Sequence, residues 1–341
     1  MPYDGAVIRS ATEALNTNAQ RHRAEFERRR REIYLRVPRL QTIDRQLSQT
    51  VRQAAQTALR KGVDPMPALE QAKRQNLSLQ QQRKQLLTQN GYAQDALTYK
   101  PLCSLCNDRG WRGSEMCQCL KDLCGKEQIQ NLSSMLNLGN QSFDTFDLDF
   151  YSPVYDPSIG SAPRDIMETA LGICFRFANK FGQENAGNYL NPRNLFLTGN
   201  PGLGKTFLSA AIARVVSEKG YSVVYDSAVN VFNRFEAQKF GRDSQASEDI
   251  ERYLSCDLMI LDDLGSEMNS PLVHSSLYQL MNSRILKQQQ TVISSNLSPD
   301  DVARRYTPQI YSRLTGEYYK VRFVGEDIRK QKLARSTRGI R

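Results

Sequence analysis

The chain has 341 residues with a formal net charge of +10, and 40% of its residues are hydrophobic. This length allows two domains, or one large domain with an extension, and the hydrophobic content supports a buried core. Apolar runs fall well short of a membrane span, and the first residues lack the apolar stretch of an export signal. We therefore expect a cytoplasmic protein without membrane association, and its positive charge favours polyanionic partners.

Residues 1–92 are predicted to be helical. Val37 and Pro38 interrupt this region, because proline ends or kinks a helix and disfavours helical backbone in the residue before it. Beyond them one apolar stripe follows a helical period, formed by Leu40, Ile43, Leu47, Val51, Ala54 and Ala58. We expect a hairpin or coiled coil that docks a partner protein. The arginine run 28–31 either takes part in docking or only keeps the helices soluble.

Five of the seven cysteines lie between positions 103 and 124. In a chain without an export signal such clustering favours a metal site over disulfides. Two close pairs around a turn-rich loop suit Zn²⁺ bound by four thiolates, which would be Cys103, Cys106, Cys117 and Cys119. Cys124 is a reserve ligand, because the second pair is unusually tight, and redox-active or reduced thiols are the alternative to zinc. We predict a structural zinc segment and linker over residues 93–139.

From about residue 140 onward, short apolar runs alternate with helical patterns. This alternation predicts right-handed crossovers and a parallel sheet. Five strands are expected, over residues 195–198, 222–226, 257–263, 291–296 and 319–324. The predicted fold is therefore α/β, with a five-stranded parallel sheet over residues 140–330 and a basic tail over residues 331–341.

A glycine-rich loop with the spacing G-x-x-x-x-G-K-T joins the first of these strands to a helix. Its glycines let backbone N–H groups turn inward and bind an anion. Lys205 can contact the β- and γ-phosphates of a nucleotide, and the Thr206 hydroxyl can ligate Mg²⁺. The predicted nucleotide-binding residues are Gly199, Asn200, Pro201, Gly202, Leu203, Gly204, Lys205, Thr206 and Phe207.

Polar residues end the third and fourth strands, at the sheet edge where ligands bind in such folds. We predict that Asp262 holds Mg²⁺, directly or through water, together with Thr206. Asp263 is placed to orient or deprotonate an attacking water. Asn296 can donate to the γ-phosphate or hold that water.

Arg313 lies on a predicted short helix before the last strand. A permanently charged guanidinium can stabilise the transferring phosphoryl group, and we expect it to do so from a neighbouring subunit. Arg284 and Arg329 are weaker candidates for this role. For each of the three, a surface salt bridge is the alternative.

Together these motifs resemble the bacterial AAA+ replicative helicase loaders, the DnaC/DnaI group. The resemblance rests on residues 199–206, 261–265, 294–296, 312–313 and 325–329, and the cysteine cluster resembles members from Gram-positive bacteria. It implies an ATPase that uses ATP and Mg²⁺, self-associates through its AAA+ domain and has no C-terminal lid. It also implies two partners, a hexameric replicative helicase bound through the N-terminal region and single-stranded DNA.

One departure from many AAA+ proteins is Asp263, which stands where they have glutamate. The shorter carboxylate implies slow hydrolysis, stimulated by DNA or the partner. An IstB-like ATPase that regulates a transposase is the main alternative, and a metabolic P-loop kinase is disfavoured because no acceptor-binding domain is evident. The basic tail either binds nucleic-acid phosphates or only solubilises the chain.

Overall fold

The computed structural model describes residues 3–58, 66–136, 141–183, 192–241, 243 and 245–338. The chain divides into two compact units. The first, here called the helical unit, spans residues 13–117, and the second, the sheet unit, comprises residues 1–12 and 118–341. This division differs from the predicted boundaries, because the first twelve residues and the part of the predicted zinc segment and linker from residue 118 onward belong to the sheet unit. Among the described helices, none is long and apolar enough to cross a membrane.

The helical unit is built mainly from three helices, of which the first begins in the sheet unit. They are α1 (Gly5–Arg36), α2 (Pro38–Ala58) and α3 (Met66–Gln89). The break between α1 and α2 falls at Val37, as the Val37–Pro38 pair predicted. Residues 59–65, between α2 and α3, lie outside the described part of the chain.

Helices α2 and α3 run antiparallel. Asp44 and Arg83 form an ion pair with an N···O distance of 2.8 Å, and Thr50 donates a hydrogen bond to Asn76. A small core supports the unit, formed by Ile33, Val37, Leu40, Leu87 and Leu97. With so few large apolar residues, the hairpin leaves long polar faces exposed.

A short antiparallel hairpin, β1 (Trp111–Arg112) and β2 (Glu115–Met116), separates the two cysteine pairs. It is followed by α4 (Gln118–Leu136), which belongs to the sheet unit. The Gln128 amide donates to the Ser217 hydroxyl at 2.7 Å, and its oxygen accepts from the Val223 amide at 3.0 Å. The second part of the predicted zinc segment and linker is therefore a helix packed within the sheet unit.

The sheet has five parallel strands, which confirms the predicted fold class. The strands are β3 (Leu195–Thr198), β4 (Val223–Ser227), β5 (Leu258–Leu264), β6 (Gln290–Ser295) and β7 (Tyr319–Arg322), in the order β4-β5-β6-β3-β7. Both faces are covered, and β3 and the first four residues of β5 are almost wholly apolar, as buried parallel strands usually are. The middle strand β6 differs, because it also buries four polar residues, Gln290, Thr291, Ser294 and Ser295. The register between β5 and β6 shifts after Leu261, which sets the conformation of the residues that follow.

Helices cover the two faces of the sheet with separate cores. They are α5 (Pro163–Asn179), α6 (Lys205–Glu218), α7 (Ala228–Lys239), α8 (Gln245–Ser255), α9 (Pro271–Leu286), α10 (Pro299–Arg305), α11 (Pro308–Gly316) and α12 (Ile328–Arg338). Within the described residues after β7, α12 is the one helix, so no helical lid follows the sheet there. Because α12 crosses position 330, the predicted boundary between domain and basic tail falls inside a helix.

The first residues of the chain are anchored on the sheet unit. The Tyr3 hydroxyl donates to the carbonyl of Gly220, and Asp4 lies 2.7 Å from Arg252 of α8. Val7 and Ala11, on the first turns of α1, are buried. This start of α1 therefore forms part of the sheet unit's packing.

Candidate active site

The glycine-rich loop has a backbone that requires glycine at two positions. Gly202 and Gly204 have φ angles of +79° and +89°, in the left-handed region that side chains disfavour. A Cβ on Gly202 would also collide with the carboxylate of Asp327. Gly204 is the N-cap of α6, so the positive end of that helix dipole faces the loop. Loop and helix together form an anion-binding site.

Lys205, the first residue of α6, is 7% exposed. Its ammonium donates to the carbonyl oxygens of Gly199 at 2.6 Å and Asn200 at 2.8 Å, and to Asn296 Oδ1 at 2.7 Å. Burial lowers the pKa of Lys205 to about 8, although the carboxylates of Asp262 and Asp263 oppose this shift. The cation therefore lies at the loop, held by three acceptors.

Asp262 and Thr206 lie side by side at the end of β5 and the start of α6. The Thr206 hydroxyl donates to Asp262 Oδ2 at 3.2 Å, a separation that suits two neighbouring oxygens on one octahedral Mg²⁺ with bonds of about 2.1 Å. Tyr225 donates to the same carboxylate oxygen at 2.7 Å, and Ser294 donates to the other. Burial and the neighbouring carboxylate raise the pKa of Tyr225, which keeps it a donor. These residues fit a magnesium site.

Asp263 and Asn296 form a second pair: Asp263 follows Asp262 in β5, and Asn296 is the first residue after β6. The Asn296 amide donates to Asp263 Oδ1 at 2.6 Å, while its oxygen accepts from Lys205. Asn296 therefore connects the loop cation with the second carboxylate. The backbone amide of Asp263 donates to Ser294 Oγ at 2.9 Å.

These residues surround a cavity of about 730 Å³. Its lining includes five groups that the sequence analysis did not assign to the site, namely Gln141, Phe146, Phe150, Ile328 and Lys332. Phe146 stacks on Tyr151 and meets Phe207 edge to face. The aromatic and acidic composition of residues 143–151 could have marked this side of the cavity, but the spacing of these residues does not indicate that they lie next to the glycine-rich loop.

Helix α12 forms another wall. Lys332 and Arg335, expected in a tail, lie over the Phe150 ring at 5.5 Å and 4.4 Å. The amide of Ile328 donates to the carbonyl of Gly202 at 3.0 Å, which joins the helix to the phosphate loop. Arg329 lines the cavity, and its charge contributes to the lowered pKa of Lys205.

Arg313, on α11, is not among the residues that line this cavity. Its guanidinium donates to Asn282 Oδ1 at 2.6 Å and lies 4.6 Å above the Tyr278 ring. Arg284, in contrast, is fully buried and donates to backbone carbonyls. Arg284 therefore contacts backbone carbonyls inside the sheet unit, and it fits neither of the two roles considered for it, a phosphate contact or a surface salt bridge.

The four predicted zinc ligands come together. Their sulfur atoms, on Cys103, Cys106, Cys117 and Cys119, all lie within 4.8 Å of one another. The Cys103 and Cys117 sulfurs are 3.8 Å apart, close to the edge of a tetrahedron whose metal–sulfur bonds are about 2.3 Å. The set therefore fits zinc. Cys124 is not in the group: it is fully buried on α4, and burial raises the pKa of its thiol to about 11.

Comparisons with known proteins point to the same domain. Residues 188–336 match the family model of the IstB-like ATP binding proteins. The replicative helicase loader DnaI of Bacillus subtilis (strain 168) is 34% identical over 118 residues, 34% of this chain and 37% of that protein. The chromosomal replication initiator protein DnaA of Campylobacter jejuni subsp. doylei is 26% identical over 149 residues, 44% of this chain and 32% of that protein.

The chain thus matches about a third of the length of these curated relatives. Among solved structures, a DnaC helicase loader is 20% identical over 55% of this chain and 99% of that one, with a TM-score of 0.45. A DnaI structure is 22% identical over 56% of this chain and 92% of that one, with a TM-score of 0.42. Residues 188–336 of the sheet unit are therefore similar in sequence to the IstB-like ATP binding proteins.

Proposed function

We propose that the protein is an ATPase that loads a replicative DNA helicase onto single-stranded DNA. The observation that carries the proposal is the hydrogen-bonded series Lys205–Asn296–Asp263 beside the Thr206–Asp262 pair in one cavity. A triphosphate, a magnesium ion and a water all have candidate partners there. The similarity of the same domain to a replicative helicase loader supports a helicase as the protein that is loaded.

In this proposal the glycine-rich loop, residues 199–207, binds the phosphates of ATP. Thr206 and Asp262 hold Mg²⁺, which neutralises phosphate charge. Asp263 orients the attacking water, and Asn296 holds either that water or the γ-phosphate. Because aspartate is shorter than glutamate, hydrolysis is slow and is stimulated by DNA or the partner.

The remaining roles concern assembly. The N-terminal helices over residues 1–92 dock a hexameric helicase, and the four cysteines stabilise the adjoining segment through one Zn²⁺. The AAA+ domains associate side by side, so that Arg313 of one subunit reaches the nucleotide of the next. Single-stranded DNA binds the assembled AAA+ domains.

The proposal is tested by size-exclusion chromatography of the full chain with the replicative helicase of its host, with and without ATP, Mg²⁺ and single-stranded DNA. We expect the helicase to co-elute with the protein, and ATP hydrolysis to rise when helicase or DNA is added. Lys205→Ala should prevent hydrolysis. A protein that retains no helicase under any of these conditions would contradict the proposal.

The second candidate is a transposition-helper ATPase that regulates a transposase. The description of the matching family model, IstB-like ATP binding protein, favours it. The cysteine segment and the long helical region favour the loader, since neither is needed for ATP binding. Co-purification separates the two, because the helper retains a transposase in place of a helicase.

A further inference from the structure

The residues after Asp263 follow an unusual path. Asp263 itself has a φ of +57°, uncommon for a residue with a side chain, and Gly265 has a φ of +106°. Asp263 is also the residue proposed to orient the water, so its backbone conformation decides where the carboxylate points. Such a conformation persists only when the surroundings hold it in place.

Glu267 is a buried side chain that hydrogen-bonds this turn, together with the hydroxyls of Ser266 and Ser295, which donate to its carbonyl oxygens. It is 5% exposed, and its carboxylate accepts from the Gly265 amide at 2.8 Å. The other carboxylate oxygen accepts from the Tyr306 hydroxyl and lies 3.6 Å from the Arg305 guanidinium. A carboxylate is buried at high cost unless it is paired and hydrogen-bonded, and here both oxygens have partners.

Through Tyr306, Glu267 also reaches the loop that carries Asn296. Tyr306 is the C-cap of α10, and α10 begins with a capping box at Ser298, two residues after Asn296. The two loops are in close contact as well: a Cβ on Gly265 would lie 2.7 Å from Leu297. One buried carboxylate therefore connects the turn after β5 with the helix after β6.

We propose that Glu267 is a positioning residue for ATP hydrolysis. It touches neither the cavity nor the reacting groups, and it acts by holding the turn that aims Asp263 at Asn296. This inference rests on the proposed ATPase activity. It separates hydrolysis from binding, because the glycine-rich loop lies outside the turn and two of the three acceptors of Lys205 are carbonyl oxygens of that loop.

The test compares Glu267→Ala, Glu267→Gln and Tyr306→Phe with Glu251→Ala, which changes an exposed glutamate on α8. For each variant, kcat is measured with ATP, and nucleotide Kd with a fluorescent ATP analogue. Glu267→Ala should lower kcat by on the order of ten- to a hundredfold, as misplaced catalytic groups do, and change Kd less than about twofold.

Glu267→Gln keeps an oxygen for the Gly265 amide and should restore most of kcat. Tyr306→Phe should lower kcat less than Glu267→Ala, and Glu251→Ala should match the unmodified protein.

Amide hydrogen exchange over residues 263–268 in the nucleotide-free protein gives a readout without hydrolysis. Exchange there should be faster in Glu267→Ala than in Glu251→Ala. An unchanged kcat in folded Glu267→Ala, or a Kd that rises in step with the loss of kcat, would overturn the inference. If the unmodified protein hydrolyses no ATP, the proposed function fails. If amide exchange over residues 263–268 is the same in Glu267→Ala and Glu251→Ala, Glu267 does not hold the turn, whatever the outcome for hydrolysis.

Discussion

Lys205 is a cation whose charge depends on pH within an accessible range. Its side chain is almost completely buried, and this burial lowers its pKa to about 8. The ammonium is therefore mostly charged at neutral pH and mostly neutral at pH 9.5. Since phosphate binding at this position requires the positive charge, the affinity for nucleotide should follow the protonation of Lys205.

We expect nucleotide affinity to be constant below pH 7 and to weaken as pH rises through 8, approaching tenfold per pH unit at about pH 9 and above. Lys205→Arg should abolish this pH dependence, because a guanidinium stays charged over the whole range. Lys205→Ala should weaken binding by about ten- to a hundredfold at neutral pH. Titration of a fluorescent nucleotide from pH 6.5 to 9.5 measures all three. Equal affinity at pH 7 and 9.5 in the unmodified protein would show that Lys205 does not set the affinity.

Asp262 shows how far sequence reasoning reaches at a single residue. A carboxylate that ends an apolar strand needs a polar partner, so its site could be predicted. Its hydrogen bonds from Tyr225 and Ser294 could not, because those donors lie on the two neighbouring strands. Which side chains meet there depends on the strand order and on the register shift after Leu261.

At the scale of elements, Arg284 ties several segments together. It lies on α9, is fully buried, and donates to the carbonyl oxygens of Tyr253 at 2.7 Å and Gln290 at 2.7 Å, and to the Thr291 hydroxyl at 3.0 Å. Helix α8, helix α9 and strand β6 meet at this guanidinium.

Arg284→Ala should lower the free energy of unfolding by about 3 kcal/mol or more, because it leaves several buried acceptors without a donor. Chemical denaturation of the full chain measures this loss. Lys287→Ala is a matched control at the same helix end, where an exposed amine makes a single surface hydrogen bond to Leu254, so it should change stability little. If the two variants lost similar amounts of unfolding free energy, the buried hydrogen bonds of Arg284 would not be the source of its stabilisation.

The cysteine cluster is a second element with a testable role, because its four thiols could hold Zn²⁺. We expect about one Zn²⁺ per chain by elemental analysis, and we expect Cys106→Ser to lose it, because Cys106 is one of the four converging thiols. Cys124→Ala is the control, since Cys124 lies outside the cluster, and should retain the metal. A metal-free protein that is fully folded would contradict the assignment, as would loss of zinc from Cys124→Ala.

Elements differ in how well the sequence predicts them. The five strands were predicted within two residues at each end, because their apolar runs are bounded by turns and polar residues. Helix α12 was predicted only as a basic tail. Its sequence is rich in charged residues and shows no apolar stripe. The helix is held by two contacts between residues far apart in sequence, from Ile328 to the phosphate loop and from Lys332 to the Phe150 ring.

At the scale of the molecule, the position of Arg313 bears on how the chain assembles. Arg313 contacts Tyr278 and Asn282, and it is absent from the lining of the cavity in its own sheet unit. If it stabilises the transferring phosphoryl group, it has to do so on another subunit. One copy of the chain then lacks a complete site, and activity requires assembly.

Mixing two inactive variants tests this. Arg313→Ala keeps the phosphate loop and should bind nucleotide normally, yet lose about a thousandfold or more in kcat. Lys205→Ala binds nucleotide more weakly and should not hydrolyse it, but it retains Arg313. An equimolar mixture should therefore hydrolyse ATP far faster than either variant alone, because one subunit supplies the loop and its neighbour the arginine. Arg304→Ala, which removes an exposed cation on α10, should behave as the unmodified protein. If the mixture is no more active than Arg313→Ala alone, or if Arg313→Ala keeps its full kcat, Arg313 has no role in catalysis on a neighbouring subunit.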